Sequence, residues 1–139
     1  MNGLERTAAL LSYLSTLQAH LATHRGLASP FGVAVDVDNY GPNVTVQLDA
    51  NGRLSAVAGG LLTWADSLAD VTADMWRTPA GIWVHLSLTG ITGSVSVKAF
   101  DAVLFDPVVF GHLSVDERRP ISLGELRAWA LGSVTAVAA

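Results

Sequence analysis

The sequence contains no cysteine and little charge. Without thiols the chain cannot form a disulfide, a thiolate metal site or a cysteine nucleophile. Only 14% of its 139 residues are charged, whereas about 25% is usual in proteins. Because a monomer needs surface charge for solubility, this shortage favours a chain that covers part of its surface in an oligomer or complex. An efficiently packed monomer with a surface of serine and threonine is the alternative.

Positive charge is especially scarce. Lys98 is the only lysine, the arginines are scattered apart from Arg118 and Arg119, and the net charge is −4. A groove that follows a phosphate backbone needs many clustered cations. We therefore expect no direct binding of nucleic acid.

Targeting and cofactor-binding signatures are also missing. Serine, threonine and glycine interrupt every uncharged run, so no membrane span is predicted. The N-terminal stretch lacks the basic start and clean apolar centre of a signal peptide. Neither a glycine-rich phosphate loop nor a dinucleotide-binding fingerprint is present. We expect a soluble, cytoplasmic protein without a cofactor.

The pattern of apolar residues predicts a single α+β domain over residues 1–139. Helical spacing covers 4–25 and 53–68, and a capping-box spacing at Ser122 and Glu125 begins a final helix. Strands are expected at 31–38, from 44 and at 71–77, then the hairpin described below and an irregular strand at 103–110. Short connections favour a mainly antiparallel sheet of about five strands, with N-terminal, central and C-terminal helices packed on it. Residues 116–120 are expected to form a charged loop, and 135–139 to fray.

Residues 76–100 predict a β-hairpin with apolar side chains on both faces. Side chains alternate across a strand, so Trp83 and Phe100 fall on the face that polar residues should occupy. The opposite face of the first strand carries Ile82, Val84, Leu86 and Leu88. A turn is expected at 90–93. Either a helix or a partner should cover the face that carries the aromatic rings.

The four tryptophans divide into two pairs. Trp64 and Trp129 fit the apolar stripes of predicted helices and are expected in the core. Trp76 and Trp83 lie in the strands, where tryptophan serves either a core or an interface.

No group of histidines or carboxylates makes a convincing metal site. His20 and His24 share one helix face, as a metal pair would, but exposed polar residues at a helix end are the simpler interpretation. The segment that begins at Asp36 resembles the start of a calcium loop, yet Tyr40 stands at the fifth position, which needs an oxygen ligand, and Gln47 at the twelfth, which needs a bidentate glutamate. We expect no metal.

Catalytic groupings are equally weak. His85 could act with Ser87 or Ser96 and with Asp101, but the chain has no nucleophile elbow. Asp66, Asp70 and Asp74 recur at intervals of four, an unfavourable alignment of like charges on one helix, which supports an end of the helix near Leu68. We assign no catalytic residue, and the balance is against an enzyme.

Four short segments give a resemblance. They are LLTWADSL at 61–68, VTA at 71–73, WR at 76–77 and VHLSLTG at 84–90. Over residues 61–90 the chain resembles a group of small actinobacterial proteins that occur in chromosomes, phages and integrated elements. The resemblance implies an accessory protein of a phage or mobile element. It carries no established activity and no catalytic residues.

Three functions remain open from sequence. The first is a non-enzymatic interaction module, self-associating as a homodimer or binding another protein, with interface candidates Trp76, Trp83, His85 and Phe100. The second is a small-ligand binder or minor hydrolase with a pocket between helix and sheet, lined by Trp64, Trp76 and His85. The third is a regulator of nucleic-acid transactions that acts through a protein partner.

Overall fold

The computed structural model describes residues 1–37 and 40–132. Its elements are α1 (Gly3–Thr23), β1 (Pro30–Val35), β2 (Val44–Leu48), α2 (Leu54–Ser67), β3 (Ala69–Arg77), β4 (Trp83–Thr92), β5 (Val95–Leu104), α3 (Pro107–Phe110), β6 (Arg118–Ile121) and α4 (Leu123–Ala130). The expected fraying of 135–139 lies outside the described residues. Within those residues, the structure contains no helix with the length and apolar character that a bilayer span requires.

The strands form one mixed sheet in the order β1-β2-β5-β4-β3-β6. β2 and β5 run parallel, and the other neighbouring strands are antiparallel. α2 packs on β4 and β5, and α4 packs on α2. The predicted α+β class, with helices packed on a mainly antiparallel sheet, is therefore confirmed.

The core lies between the helices and one face of the sheet. Val57, Leu61 and Trp64 of α2 are fully buried, as their helical spacing predicts. Gly60 stands in the same helix where a Cβ would lie 3.2 Å from the Cβ of Ala28. The paired glycines therefore do not break α2, and one of them lets the chain that leads into β1 come close.

The predicted turn at 90–93 is wrong, because β4 continues to Thr92 and the chain turns at Gly93, where φ is 59°. Gly90 lies inside the strand, paired with Val97. A Cβ at this position would lie only 2.7 Å from the Cβ of Leu68. The glycine allows a close approach of the chain that leaves α2, which sequence alone does not distinguish from a turn.

The irregular strand expected at 103–110 is also wrong. β5 continues to Leu104, and the following residues form the short helix α3. The side chain of Asp106 accepts a hydrogen bond from the amide of Val108, and Pro107 occupies the first helical position. Asp-Pro is here an N-cap followed by a helix-starting proline.

A sixth strand replaces the loop expected at 116–120. Residues Arg118–Ile121 form β6, which pairs with β3 at the sheet edge. Pro120 cannot donate to a central ladder, but an edge strand needs hydrogen bonds on one side only. The charged residues therefore protect an edge instead of forming a loop.

At the opposite edge, β1 is shorter than the predicted strand and leaves part of its apolar face uncovered. Phe31 is 72% exposed and Val33 is 44% exposed, although strand alternation places both on one apolar face. Val35 of the same face is partly buried against the core.

The final helix follows its prediction, since Ser122 and Glu125 form a capping box at the start of α4.

Candidate functional site

The strongest candidate site is the face of the sheet opposite the helices, which we call the open face. In β4, Val84, Leu86 and Leu88 belong to the core cluster with α2, so Trp83 and His85 project from the other side. Trp83 is 43% exposed, and Leu104, its partner across the ladder, is 59% exposed. Among the described residues, the helices that pack on the sheet lie against the other face.

Three aromatic rings form a continuous strip across the open face. Trp76 of β3 lies directly opposite His85 of β4, and their rings meet edge to face at 5.3 Å. The His85 ring stacks on Phe100 of β5, with centroids 5.4 Å apart and planes 14° apart. These distances fit favourable aromatic pairs. The structure thus brings together three of the four residues expected at an interface, and we call them the aromatic strip.

Cations stand at both ends of the aromatic strip. The guanidinium of Arg118 lies 5.5 Å from the Trp76 ring, and the ammonium of Lys98 lies 5.9 Å from the Phe100 ring. Both distances fall within the range of cation–π attraction. Arg118 also forms an ion pair with Asp74, whose carboxylate oxygen lies 3.3 Å from the guanidinium. Lys98, at the other end of the strip, is the only lysine of a chain whose net charge is −4.

The Trp76 side chain is held in its orientation. Its Nε1–H donates a hydrogen bond of 2.9 Å to Oδ1 of Asp116. Asp116 has a φ of 63°, a left-handed conformation that aspartate adopts at some cost. The hydrogen bond restricts the rotation of the Trp76 ring.

His85 is neutral at pH 7. Partial burial lowers its pKa below the usual value, and the positive charges of Lys98 and Arg118 lower it further, while Asp101 opposes them. A neutral imidazole stacks as an aromatic ring and adds no charge to the open face. Its role in the strip is therefore that of a flat, weakly polar surface.

The catalytic grouping weighed for His85 does not assemble. Asp101 is buried on the helix side of the sheet, where its carboxylate accepts hydrogen bonds from the amides of Ala50 and Ala102. Ser96 pairs with Ile91, near the turn and away from His85. Ser87 shares the face of His85 but is only 3% exposed. The base, the acid and an accessible nucleophile are thus not brought together.

The pocket expected from sequence is wrong. Trp64 is fully buried on the helix side, where it stacks with His20 and donates to the carbonyl of Ala28. Trp76 and His85 lie on the other side of the sheet and cannot share a cavity with it. A cleft of about 440 Å³ does exist between α2 and the β1–β2 edge, but other residues line it, including Phe31 and Asp49.

The histidine pair of α1 has a structural role. His20 is buried, and its two ring nitrogens lie 3.0 Å from the Thr92 hydroxyl and 2.8 Å from the Ser67 hydroxyl. Burial lowers its pKa, and His24, with its ring 4.5 Å away, lowers it further. The interpretation of both histidines as exposed polar residues is therefore wrong for His20. Within the described residues, no group of three or more possible ligands surrounds a metal position.

Sequence reasoning found the rings of the open face but missed the charged residues around them. Asp74, Arg118 and Asp116 reach the strip through the register of β3 against its neighbours and the return of the chain into β6. Hairpin alternation alone would place Lys98 on the face of Phe100, so that signal was available.

Compared with known proteins, the chain matches no family model, no curated protein and no solved structure.

Proposed function

We propose that this chain is a non-enzymatic protein-interaction module whose open face binds an acidic segment of a partner protein. The observation that carries the proposal is the aromatic strip on a sheet face that the described helices leave uncovered. Helices that cover one face of a sheet form the core on that face, and this packing does not require a cluster of aromatic side chains on the opposite face. Aromatic residues at such a position are typical of binding hot spots.

The chemistry of the partner follows from charge. The chain is acidic overall, with a net charge of −4, yet the strip is flanked by Lys98 and Arg118. At the Phe100 end a carboxylate of the partner would meet Lys98, whereas at the Trp76 end it would share Arg118 with Asp74. Apolar or aromatic side chains of the partner would lie on the rings. The partner segment is therefore acidic at the end that meets Lys98 and apolar along the strip. The resemblance described above fits an accessory protein of a phage or mobile element that acts by such binding.

Selection of peptides tests this proposal. A displayed library of random short peptides is panned on the folded protein, and the selected peptides are measured by isothermal titration calorimetry. We expect enrichment of Asp and Glu around apolar residues. We also expect binding to weaken at least about tenfold in Lys98→Glu/Arg118→Glu, in line with close charge pairs at interfaces.

A matched control separates local from overall charge. Arg127 is exposed on α4, on the helix side of the molecule. Arg127→Glu changes the net charge as each reversal on the open face does, and it should leave peptide affinity within about twofold. Phe100→Ala, checked for folding by circular dichroism, should weaken the same peptides. Peptides without acidic enrichment, or affinities that respond equally to Arg127→Glu, would overturn the proposal.

A sheet that carries rings and cations also fits the stacking of unpaired bases, so nucleic acid is the competing occupant. The acidic net charge and the small number of cations argue against it. Fluorescence anisotropy with mixed-sequence single-stranded DNA and RNA decides the point. Salt-sensitive binding that Lys98→Glu abolishes would replace the peptide proposal with a nucleic-acid one.

A further inference from the structure

A second uncovered surface lies at the N-terminal side of the molecule, away from the open face. α1 is 21 residues long, but every residue from Met1 to Ala8 is exposed. Its inward contacts come from its second half, where Leu17 and His20 are buried. The first half of α1 is therefore a helical arm that the rest of the described chain does not support.

The arm carries an apolar stripe. Leu4 is 85% exposed, Leu11 is 62% exposed and Leu14 is 45% exposed. Spacings of seven and three residues place these side chains on one side of a helix. A short helix without tertiary contacts is only marginally stable in water. Burial of this stripe against a partner would supply the missing support.

β1 adds an unpaired strand edge to the same side of the molecule. α1 and β1 contact each other, and β2 is the only described neighbour of β1. The exposed side chains of Phe31 and Val33 flank this edge. The opposite edge is protected, since β6 has four residues with two arginines and a proline. Short, charged and proline-containing edges resist pairing with another chain, whereas uncharged edges invite it. In β1 the proline and a register shift are confined to its first residues, and residues 32–35 form a regular, uncharged stretch.

The low charge of this surface indicates which partner would cover it. Between residues 7 and 35, Arg25 is the only Asp, Glu, Lys or Arg, and the two charged residues before this range, Glu5 and Arg6, are of opposite sign. A partner surface rich in charge would lose water there without gaining counter-ions. A second copy brings the same uncharged stripe and the same edge, and antiparallel pairing of β1 with itself is a closed, two-fold arrangement.

We propose that the chain forms a two-fold homodimer in which the exposed side of α1 and the edge of β1 meet their counterparts in a second copy. Residues 3–13 of α1 and the six residues of β1 give 17 residues, which is close to the lower end of the about 20–30 on one side of a standard interface. This dimer leaves the open face free, so it is independent of the peptide-binding proposal.

Sedimentation of the full chain over a range of concentrations tests the dimer. We expect the wild type to sediment as a dimer, and Leu11→Glu and Val33→Glu each to weaken dimerisation at least tenfold. The matched controls are Val108→Glu and Val115→Glu. Val108 is 64% exposed and Val115 is 50% exposed, close to their counterparts, but they lie on the opposite side of the chain's fold, in and after α3. They should leave dimerisation unchanged.

Circular dichroism establishes that each variant is folded, and a second strand variant, Phe31→Glu, replaces Val33→Glu should the latter not fold. A wild type that sediments as a monomer at every concentration would overturn the proposal. So would a dimer that persists in either Leu11→Glu or the strand variant, or one that the control variants weaken equally. Peptide binding by a monomeric variant would still be measurable, so the two proposals fail separately.

Discussion

The two faces of the sheet are built from the same strands but by different rules. On the helix side, Met75, Leu86 and Val97 are fully buried and contribute through apolar area removed from water. On the open face, Trp76 and His85 alternate with them and remain half-buried, held by ring contacts and one hydrogen bond. The comparison shows that the fully buried apolar side chains are concentrated on the helix side, whereas the aromatic side chains of the open face keep part of their surface exposed.

The largest expected contrast is between two tryptophans. Trp64→Ala removes a fully buried ring and a hydrogen bond to Ala28, so it should lower the free energy of unfolding by about 3–5 kcal/mol. Trp83→Ala removes a ring that is 43% exposed on the open face and should cost about 1 kcal/mol or less. Urea unfolding of both variants measures the difference. Equal losses would show that the open face is part of the core.

Two glycines probe how tightly the helix side is packed. Gly90→Ala places a Cβ 2.7 Å from that of Leu68 and should lower the free energy of unfolding by about 1–3 kcal/mol through overpacking. Gly59→Ala meets no atom within 4 Å inside α2 and should raise it by about 0.5–1 kcal/mol. The same unfolding experiment reports both. A neutral Gly90→Ala would mean that the sheet and the end of α2 are not in close contact.

Two aspartates compare a buried carboxylate with an exposed one. Asp101→Ala leaves the amides of Ala50 and Ala102 without their acceptor and should cost about 1–3 kcal/mol. Asp101→Asn keeps one acceptor oxygen and should cost less. Asp74→Ala breaks a surface ion pair with Arg118 and should cost about 0–1 kcal/mol. Thermal unfolding ranks the three variants, and a larger loss for Asp74 than for Asp101 would contradict this assignment.

The smallest expected effect is a pH dependence shared by both sides of the sheet. Burial lowers the pKa of His20 on the helix side and of His85 on the open face below the usual 6.5. At pH values well above 6.5 both histidines are neutral in the folded chain and in the unfolded chain. Below that value the unfolded chain takes up protons first, so stability should fall as pH decreases.

The pH dependence can be divided between the two histidines. His20→Gln and His85→Gln should each flatten the fall in stability between about pH 6.5 and pH 5, as measured by urea unfolding at several pH values. Asp101 acts in the opposite sense, because burial raises its pKa and its charged form weakens the fold once pH exceeds that pKa. An increase in stability on acidification through this range would contradict the assignment for the histidines.

The sequence was a good guide wherever one periodicity governs a segment. The stripe of Val57, Leu61 and Trp64, the capping box at Ser122 and the alternation around Leu86 predicted the helices, the main hairpin and the α+β class. These features depend on local geometry, which the order of residues encodes directly.

The predictions failed where the structure depends on contacts between residues that are distant in the sequence. The sequence predicts a turn at Gly90, because the close approach of Leu68 to this glycine exists only in the folded chain. The pocket combined Trp64 with His85 because strand alternation does not tell which face a helix will cover. The aromatic strip itself required the register of β3 against β4, which no local pattern supplies. The aromatic residues of the open face were therefore predictable as a set, but their arrangement was not.

The parallel pairing of β2 with β5 bears on how the chain is made. During synthesis, β2 has only β1 beside it until Val95 and the strand that begins there have emerged. A two-stranded hairpin is marginally stable by itself. The N-terminal third, which holds only five charged residues, therefore lacks its parallel neighbour until about two-thirds of the protein has been translated. The segment that we assign to self-association is also the one most exposed to premature contact with neighbouring nascent chains.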